Sequence, residues 1–225
     1  MSFLDRLFGK NNTTSKEETV NITKTAIVYY SSGGTNYQLA TWAAEAAEAA
    51  GSEVRLLKVA ETAPQAAVDS NEGWKAHAEA TKDVPEVTPE DLVWADAIVF
   101  SVPTRFGNIS SQVQSFIDTV GGAWAQGQLA NKAVSAMTSA QNTHGGQEAT
   151  ILSLYTTMYH WGAIVAAPGF TDAVTFAAGG NPYGTSVTVG QDGKIVEDEA
   201  AIQAAVAHQA QRTVKVGTAL KSLEA

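Results

Sequence analysis

Ala97 to Asn108 reads AIVFSVPTRFGN, and the fold is decided by the change of character halfway along it. Ala97–Val102 presents apolar residues to both faces, which suits a strand in the middle of a parallel sheet covered by helices on each side. Pro103–Asn108 then turns the chain. The same alternation extends outward from this centre. Upstream, Thr25–Tyr30 (TAIVYY) is a β-rich run that ends in Ser31-Ser32-Gly33-Gly34. A helix fits Thr35–Ala50, with Leu39, Trp42, Ala43 and Ala46 on one face and Gly51 as its stop. Glu53–Val59 alternates apolar and polar like an outer strand. Downstream, a helix fits Ser110–Val120, where Val113, Phe116, Ile117 and Val120 follow the i, i+3, i+4, i+7 pattern. Lys132–Thr138 is a strand, Gln147–His160 a helix through Ile151, Leu154, Tyr155 and Met158, Ala163–Ala167 a short strand, and Glu199–Leu223 a long helix.

The strand–helix unit thus occurs five times, with an embellished loop at Pro168–Ser186 and no repeat of longer period. This order predicts an α/β fold, a doubly wound five-stranded parallel sheet with helices on both faces. One domain is expected over 24–225, preceded by an extension at 1–23. Within the extension Asn11–Thr23 is polar and reads as a linker. Phe3, Leu4, Leu7 and Phe8 before it fall on one helical face, and read either as a frayed tail or as a short docking or membrane-surface helix.

Doubly wound sheets bind ligands beyond the carboxyl ends of their strands, so the chemistry is sought in three loops. Ser31, Ser32, Gly33, Gly34, Thr35 and Asn36 end a strand and open a helix, where free N–H groups beside hydroxyls suit an anion. The loop matches neither G-x-x-x-x-G-K-[ST] nor G-x-G-x-x-G, and it carries no Lys or Arg. A monophosphate held by neutral donors fits better than a nucleoside triphosphate. Pro103, Thr104, Arg105, Phe106 and Gly107 follow the central strand, and an aromatic beside backbone amides suits a flat heterocycle. Ser139, Ala140, Gln141, Asn142, Thr143, His144, Gly145 and Gly146 follow the next strand and open a helix whose positive end suits a ligand that becomes anionic. Each loop alone also reads as an ordinary turn or helix start; three at the ends of three central strands are more specific.

Composition narrows the classes. Cysteine is absent, which excludes disulfides, zinc–thiolate sites and a Cys nucleophile, and suits a reducing, cytoplasmic setting. The net charge of −9 argues against nucleic acid as the main partner. No apolar run reaches bilayer length, so no integral membrane segment is expected, and Met1–Lys10 lacks the long apolar core of a secretory signal. There is no H-E-x-x-H motif, and no metal site is expected.

Pro103–Ser110 (PTRFGNIS), Gly121–Trp124 (GGAW), His144–Glu148 (HGGQE) and Gly179–Gly184 (GGNPYG) together resemble the WrbA family, over about Thr25 to Leu220. That family comprises flavodoxin-like, FMN-dependent NAD(P)H:quinone oxidoreductases. The resemblance implies a sheet in the order 2-1-3-4-5, FMN as cofactor, NADH or NADPH as co-substrate, a quinone as acceptor and a homo-tetramer, a dimer of dimers. It places Ser31–Asn36 at the FMN phosphate, Pro103–Gly107 and Ser139–Gly146 around the isoalloxazine ring, and His160 near the flavin. Trp124 borders the substrate site, supplied in that family by a neighbouring subunit. His160 and Trp124 are therefore the residues expected to act in catalysis, by a ping-pong exchange of NAD(P)H for quinone. His160 also reads as a helix cap. This chain departs from the family at Gly33, where relatives carry Tyr or Thr and the Tyr touches the nicotinamide. The alternatives are a flavodoxin-type electron carrier, which needs an exposed flavin edge, and an FMN-binding scaffold, which would oxidise no NAD(P)H. His77 and His208 read as solvated faces, Trp42 and Trp94 as core.

Overall fold

The computed structural model describes residues 22–223. In chain order they form β1 (Lys24–Tyr29), α1 (Thr35–Ala49), β2 (Glu53–Lys58), α2 (Gln65–Asp69), α3 (Glu72–Ala80), α4 (Pro89–Trp94), β3 (Ala97–Pro103), α5 (Ser111–Thr119), α6 (Gly121–Ala125), β4 (Ala133–Ala140), α7 (Gln147–Trp161), β5 (Ile164–Val165), α8 (Val174–Ala177), β6 (Ser186–Thr188) and α9 (Glu199–Leu220). The strands run parallel in the order β2-β1-β3-β4-β5. Ile27 of β1 sits opposite Leu56 on one side and Val99 on the other.

Strand side chains alternate between two cores, as the period of two requires. Ala26, Val28, Ile98, Phe100 and Val134 face α5 and α7, meeting Val113, Ile117, Leu154 and Met158. Ile27, Val99 and Met137 face the other way, onto Leu39 and Ala43 of α1 and Ile202 and Val206 of α9. Full burial of each large apolar side chain is worth about 1.5–3 kcal/mol, and it is this two-sided burial that makes β3 and β4 buried at every position. Trp42 and Trp94 are half-buried and pack against these cores. Trp94 also carries the Arg55 guanidinium 3.9 Å above its ring centre.

The fold departs from the sequence expectation at one edge and in one connection. The last edge position beside β4 is divided: β5 pairs only with Ala133 and Val134, while β6 pairs with Thr138–Ala140. The long Pro168–Ser186 loop leaves the edge between them and returns to it, so the expected Ala163–Ala167 strand is only two residues long. Side chains fill the gap. The Ala136 N–H donates to the Tyr155 hydroxyl (3.0 Å), and its carbonyl accepts from the Gln209 amide (2.9 Å). Between β2 and β3 the chain forms three short helices whose starts are local. Asn71 accepts the Trp74 N–H (3.0 Å) at α3. Thr88 and Asp91 form a capping box at α4, with Pro89 at its first position.

Residues 1–21, with the expected Phe3–Phe8 face, lie outside the described residues. Among the described residues no helix is long and apolar enough to cross a membrane.

Candidate active site

The carboxyl ends of β1, β3 and β4 deliver the three loops to one place. Gly34, in the left-handed region at φ 95°, ends the first loop and starts α1; its N–H donates to Ser31 Oγ (2.9 Å). The first N–H groups of a helix lack intrahelical partners, and here Thr35 and Asn36, in that first turn, line the crevice. Asn36 contributes differently from expectation. Its side-chain amide is buried and donates to Ser139 Oγ (2.8 Å), while its backbone carbonyl accepts from Ser101 Oγ (2.8 Å). The side chain therefore ties the first loop to the third, leaving the hydroxyls of Ser31, Ser32 and Thr35 as the loop's own polar side chains.

The second loop is a tight reversal in which the Arg105 N–H donates to the Asn108 carbonyl (2.7 Å) and the Asn108 N–H to that of Arg105 (3.0 Å). This closure forces Phe106 to φ 52°, a left-handed conformation that costs a non-glycine residue about 1 kcal/mol or more. The ring stands wholly in solvent at 108% relative exposure. Strain combined with an exposed aromatic marks a residue held for contact with something else. Arg105 reaches back across the mouth, its Nη2 donating to Ser32 Oγ (3.3 Å). Thr104 is fixed by its N–H to the Ser139 carbonyl (2.8 Å) and by the hydroxyls of Thr138 and Thr150.

The third loop is braced from inside. The Asn142 carbonyl accepts from the Gly145 N–H (3.1 Å) and from the Gln147 amide (2.9 Å). Gly146 has φ 91°, and a Cβ there would stand 2.7 Å from the Cα of Gly107. The second and third loops thus touch backbone to backbone, which only a residue without a side chain permits.

Together the loops enclose a crevice of about 510 Å³. Ser31, Ser32, Gly33, Thr35, Asn36, Pro103, Thr104, Arg105, Phe106, Ser139, Ala140, Gln141, Asn142 and Gly145 all line it. Among the described residues its lining carries one cation, Arg105, and no carboxylate, with hydroxyls and amides elsewhere. Gly34 and Gly107 support the loops from behind, whereas Thr143, His144 and Gly146 line a separate cavity of about 530 Å³ on the far side of the third loop.

His160 and Trp124 are not brought to this crevice. α7 begins beside it at Gln147 and carries His160 thirteen residues away, about 20 Å at 1.5 Å per residue. Within one chain His160 therefore cannot act together with the start of its own helix. Trp124 lies with His160, and both are exposed.

The sequence reading missed residues around the first loop. Val189, just past β6, completes the crevice. His77 of α3 is half-buried rather than solvated: its ring centre lies 5.6 Å from that of Tyr37, which packs in turn on Tyr29. Burial, and then the nearby Lys58, hold His77 below the usual histidine range. Burial pushes the Tyr29 hydroxyl up to about 12. Tyr30 donates to Glu61 (2.8 Å), which also accepts from Gln112 (2.8 Å), linking the end of β1 to α5. Helices in the chain between β2 and β3 are short, and no periodic signal announced that one would lie against this loop. His208 is also half-buried, its Nε2 3.1 Å from the Pro168 carbonyl oxygen.

Comparison with known proteins places this geometry. A family model described as NADPH-dependent FMN reductase matches residues 24–175. The chain is 58% identical over 193 residues to an NAD(P)H dehydrogenase (quinone) of Deinococcus radiodurans, covering 86% of this chain and 96% of that one. It is 36% identical to a protein of the same description from Aromatoleum aromaticum, covering 88% and 97% of the two chains. A flavodoxin, WrbA-like protein from Agrobacterium tumefaciens superposes with a TM-score of 0.56 at 19% identity, covering 88% of this chain and 98% of that one; at that identity it speaks for the fold.

Proposed function

The chain belongs to the NADPH-dependent FMN reductase family, and on that premise we propose that it is an FMN-dependent oxidoreductase passing two electrons from NAD(P)H to quinones. The observation that carries this reading is the crevice itself: three strand-end loops offering hydroxyls and helix-start N–H groups, one guanidinium and no carboxylate. Such a donor set suits a phosphate monoester joined to a flat, polar-edged ring, and FMN fits it. The hydroxyls of Ser31, Ser32 and Thr35, with the first turn of α1, would hold the phosphate. Thr104, Arg105 and Phe106 would flank the ring on one side and Gln141–Gly145 on the other.

FMN, when bound, supplies a ring that accepts hydride from NAD(P)H and yields it to a quinone, the first product leaving before the second substrate enters. The chain supplies position and field. The N-terminus of α7 begins behind the third loop, and its partial positive end would favour negative charge gained by a ring held on that side. Phe106, exposed at the mouth, would shield the bound ring from water once packed against it. Residues 24–225 serve as one FMN-binding domain, with 1–23 as an extension.

Trp124 and His160 enter this scheme from a second copy. They share an exposed corner away from their own crevice; elsewhere Phe170 and Phe176 stack at 4.6 Å, and both are exposed, as are Tyr159 and Ile164. Apolar exposure on this scale supports burial between subunits, and a tetramer built as a dimer of dimers would carry the corner of one chain to the crevice of another. A cytoplasmic location accords with the absence of cysteine.

The test is direct. Heat-released cofactor should co-migrate with FMN, and the purified protein should oxidise NADH or NADPH in the presence of a benzoquinone while light scattering reports a tetramer. Recovery of FAD, or a flavin-loaded protein that oxidises neither donor, overturns the proposal.

A further inference from the structure

The crevice does not stop at the first loop. Ser32, Gly33, Thr35, Gln141, Asn142 and Val189 border it on one side and on the other border an outer arm of about 770 Å³. The two spaces therefore form one groove that crosses the chain at Ser32 and Gly33. A Cβ on Gly33 would meet nothing within 4 Å, so the crossing is open.

The far wall of the arm comes from the start of α3, at Asn71, Gly73 and Trp74, and from the turn at 190–193 between β6 and α9. Trp74 is the aromatic residue of that lining. Its backbone N–H donates to the Asn71 side chain (3.0 Å), the cap that starts α3. On its other side it borders a small cavity of about 100 Å³ with Tyr29 and His77. Trp74 thus stands between the two spaces, half-buried. Among the described residues the rest of the arm is peptide, amide and hydroxyl, with Asp192 as its charged residue and no Lys or Arg. At the crossing, Arg105 Nη2 meets Ser32 Oγ (3.3 Å).

These features select a ligand in parts. The lining of the outer arm repels anionic groups but offers an aromatic face and hydrogen-bonding edges, the needs of a neutral nucleoside. The crossing offers the one guanidinium for phosphates. The inner crevice takes the reacting ring. We propose that the outer arm binds the adenosine half of the nicotinamide dinucleotide, with adenine stacked on Trp74 and the pyrophosphate passing Arg105. This rests on the NAD(P)H-oxidising reading given above.

The experiment uses the FMN-loaded protein and two hydride donors, NADH and reduced nicotinamide mononucleotide, which lacks the adenosine half. Base–aromatic stacking of ordinary strength predicts that Trp74→Ala raises KM for NADH by about ten- to a hundredfold. KM for the mononucleotide should stay within about twofold of wild type, and Trp74→Phe should keep most of the affinity. ADP-ribose, which cannot react, should compete with NADH and quench tryptophan fluorescence in the wild type, and should bind far more weakly to Trp74→Ala. If Trp74→Ala loses FMN or misfolds, Trp74→Phe and Trp74→Leu are compared: similar bulk, with ADP-ribose binding retained only by the ring. Equal losses for both donors, no loss with either, or ADP-ribose binding indifferent to the ring overturn the inference. A wild type that oxidises neither NADH nor NADPH defeats the functional reading instead, and ADP-ribose binding then judges the arm alone.

Discussion

The indole N–H of Trp124 donates to the backbone carbonyl of His160 at 2.8 Å. Two residues thirty-six positions apart are fixed at one corner, where α6 meets the end of α7, on the opposite side of the sheet's length from the crevice. A corner so built moves as a unit into whatever it docks against.

If that docking completes a neighbouring crevice, Trp124→Ala should lower quinone turnover by about one to two powers of ten, for about 1–3 kcal/mol of lost contact, with FMN affinity nearly unchanged. Mixed tetramers of Trp124→Ala and Arg105→Ala subunits should recover activity, because some crevices then receive a wild-type corner and a wild-type Arg105. Hybrids no more active than the parents would place Trp124 outside the site.

Asn36 joins two loops through one buried amide. Asn36→Ala removes that donor and leaves Ser139 Oγ without it, which should cost about 1–3 kcal/mol in urea unfolding. FMN binding should weaken as well, since the first and third loops lose their register. Unfolding and FMN titrations that both match wild type would reduce Asn36 to a bystander.

Gly146→Ala tests the contact between the second and third loops. The left-handed backbone alone costs an alanine about 1 kcal/mol, and the 2.7 Å approach to Gly107 demands that a loop move. Lower stability should come with weaker FMN binding in calorimetric titration. Stability lost without any change in FMN affinity would mean that the loops touch without shaping the site.

His77 gives a pH signature. Its folded-state pKa lies below the unfolded value of about 6.5, so the folded protein disfavours the protonated ring. The stability this contributes is complete above about pH 6.5 and declines as the pH falls through the folded-state value. Lys58, Glu61 and Glu86 line the same small cavity and share its field. Melting temperature should therefore fall more steeply from pH 7.5 to 5.5 in wild type than in His77→Asn. Parallel curves would show that His77 titrates as freely in the fold as outside it.

Asp192 bears on donor choice. A carboxylate at the adenosine end favours ribose hydroxyls and opposes a 2′-phosphate. NADH should be preferred to NADPH by kcat/KM, and Asp192→Asn should narrow the gap by about tenfold. A wild type that prefers NADPH would separate Asp192 from the ribose.

The sequence carried the sheet well because β1, β3 and β4 are buried on both faces, and such runs have few other readings. It carried the three loops because each lies where a strand pattern gives way to a helix pattern. It could not show that Asn36 spends its amide inside the protein, since a phosphate donor and a structural tie look the same in one dimension. The α3 wall escaped for a different reason: a nine-residue helix with no buried residue has no apolar stripe to announce it. His160 lies at the far end of α7 from the crevice because the helix that opens at Gln147 runs away from the third loop, and the sequence of one chain does not say what a second copy brings near.

The divided edge beside β4 has a consequence for what the protein avoids. A full-length edge strand would leave a row of unpaired N–H and C=O groups on which another chain could add a strand, the first step of sheet-to-sheet polymerisation. Here the edge is two stubs of two and three residues, and the gap between them at Ala136 is occupied by Tyr155 and Gln209 side chains. Neither stub is long enough to template a recruit, and side chains block the backbone between them. The interruption that mounts the long Pro168–Ser186 loop thus also keeps this side of the sheet from serving as a seed for aggregation.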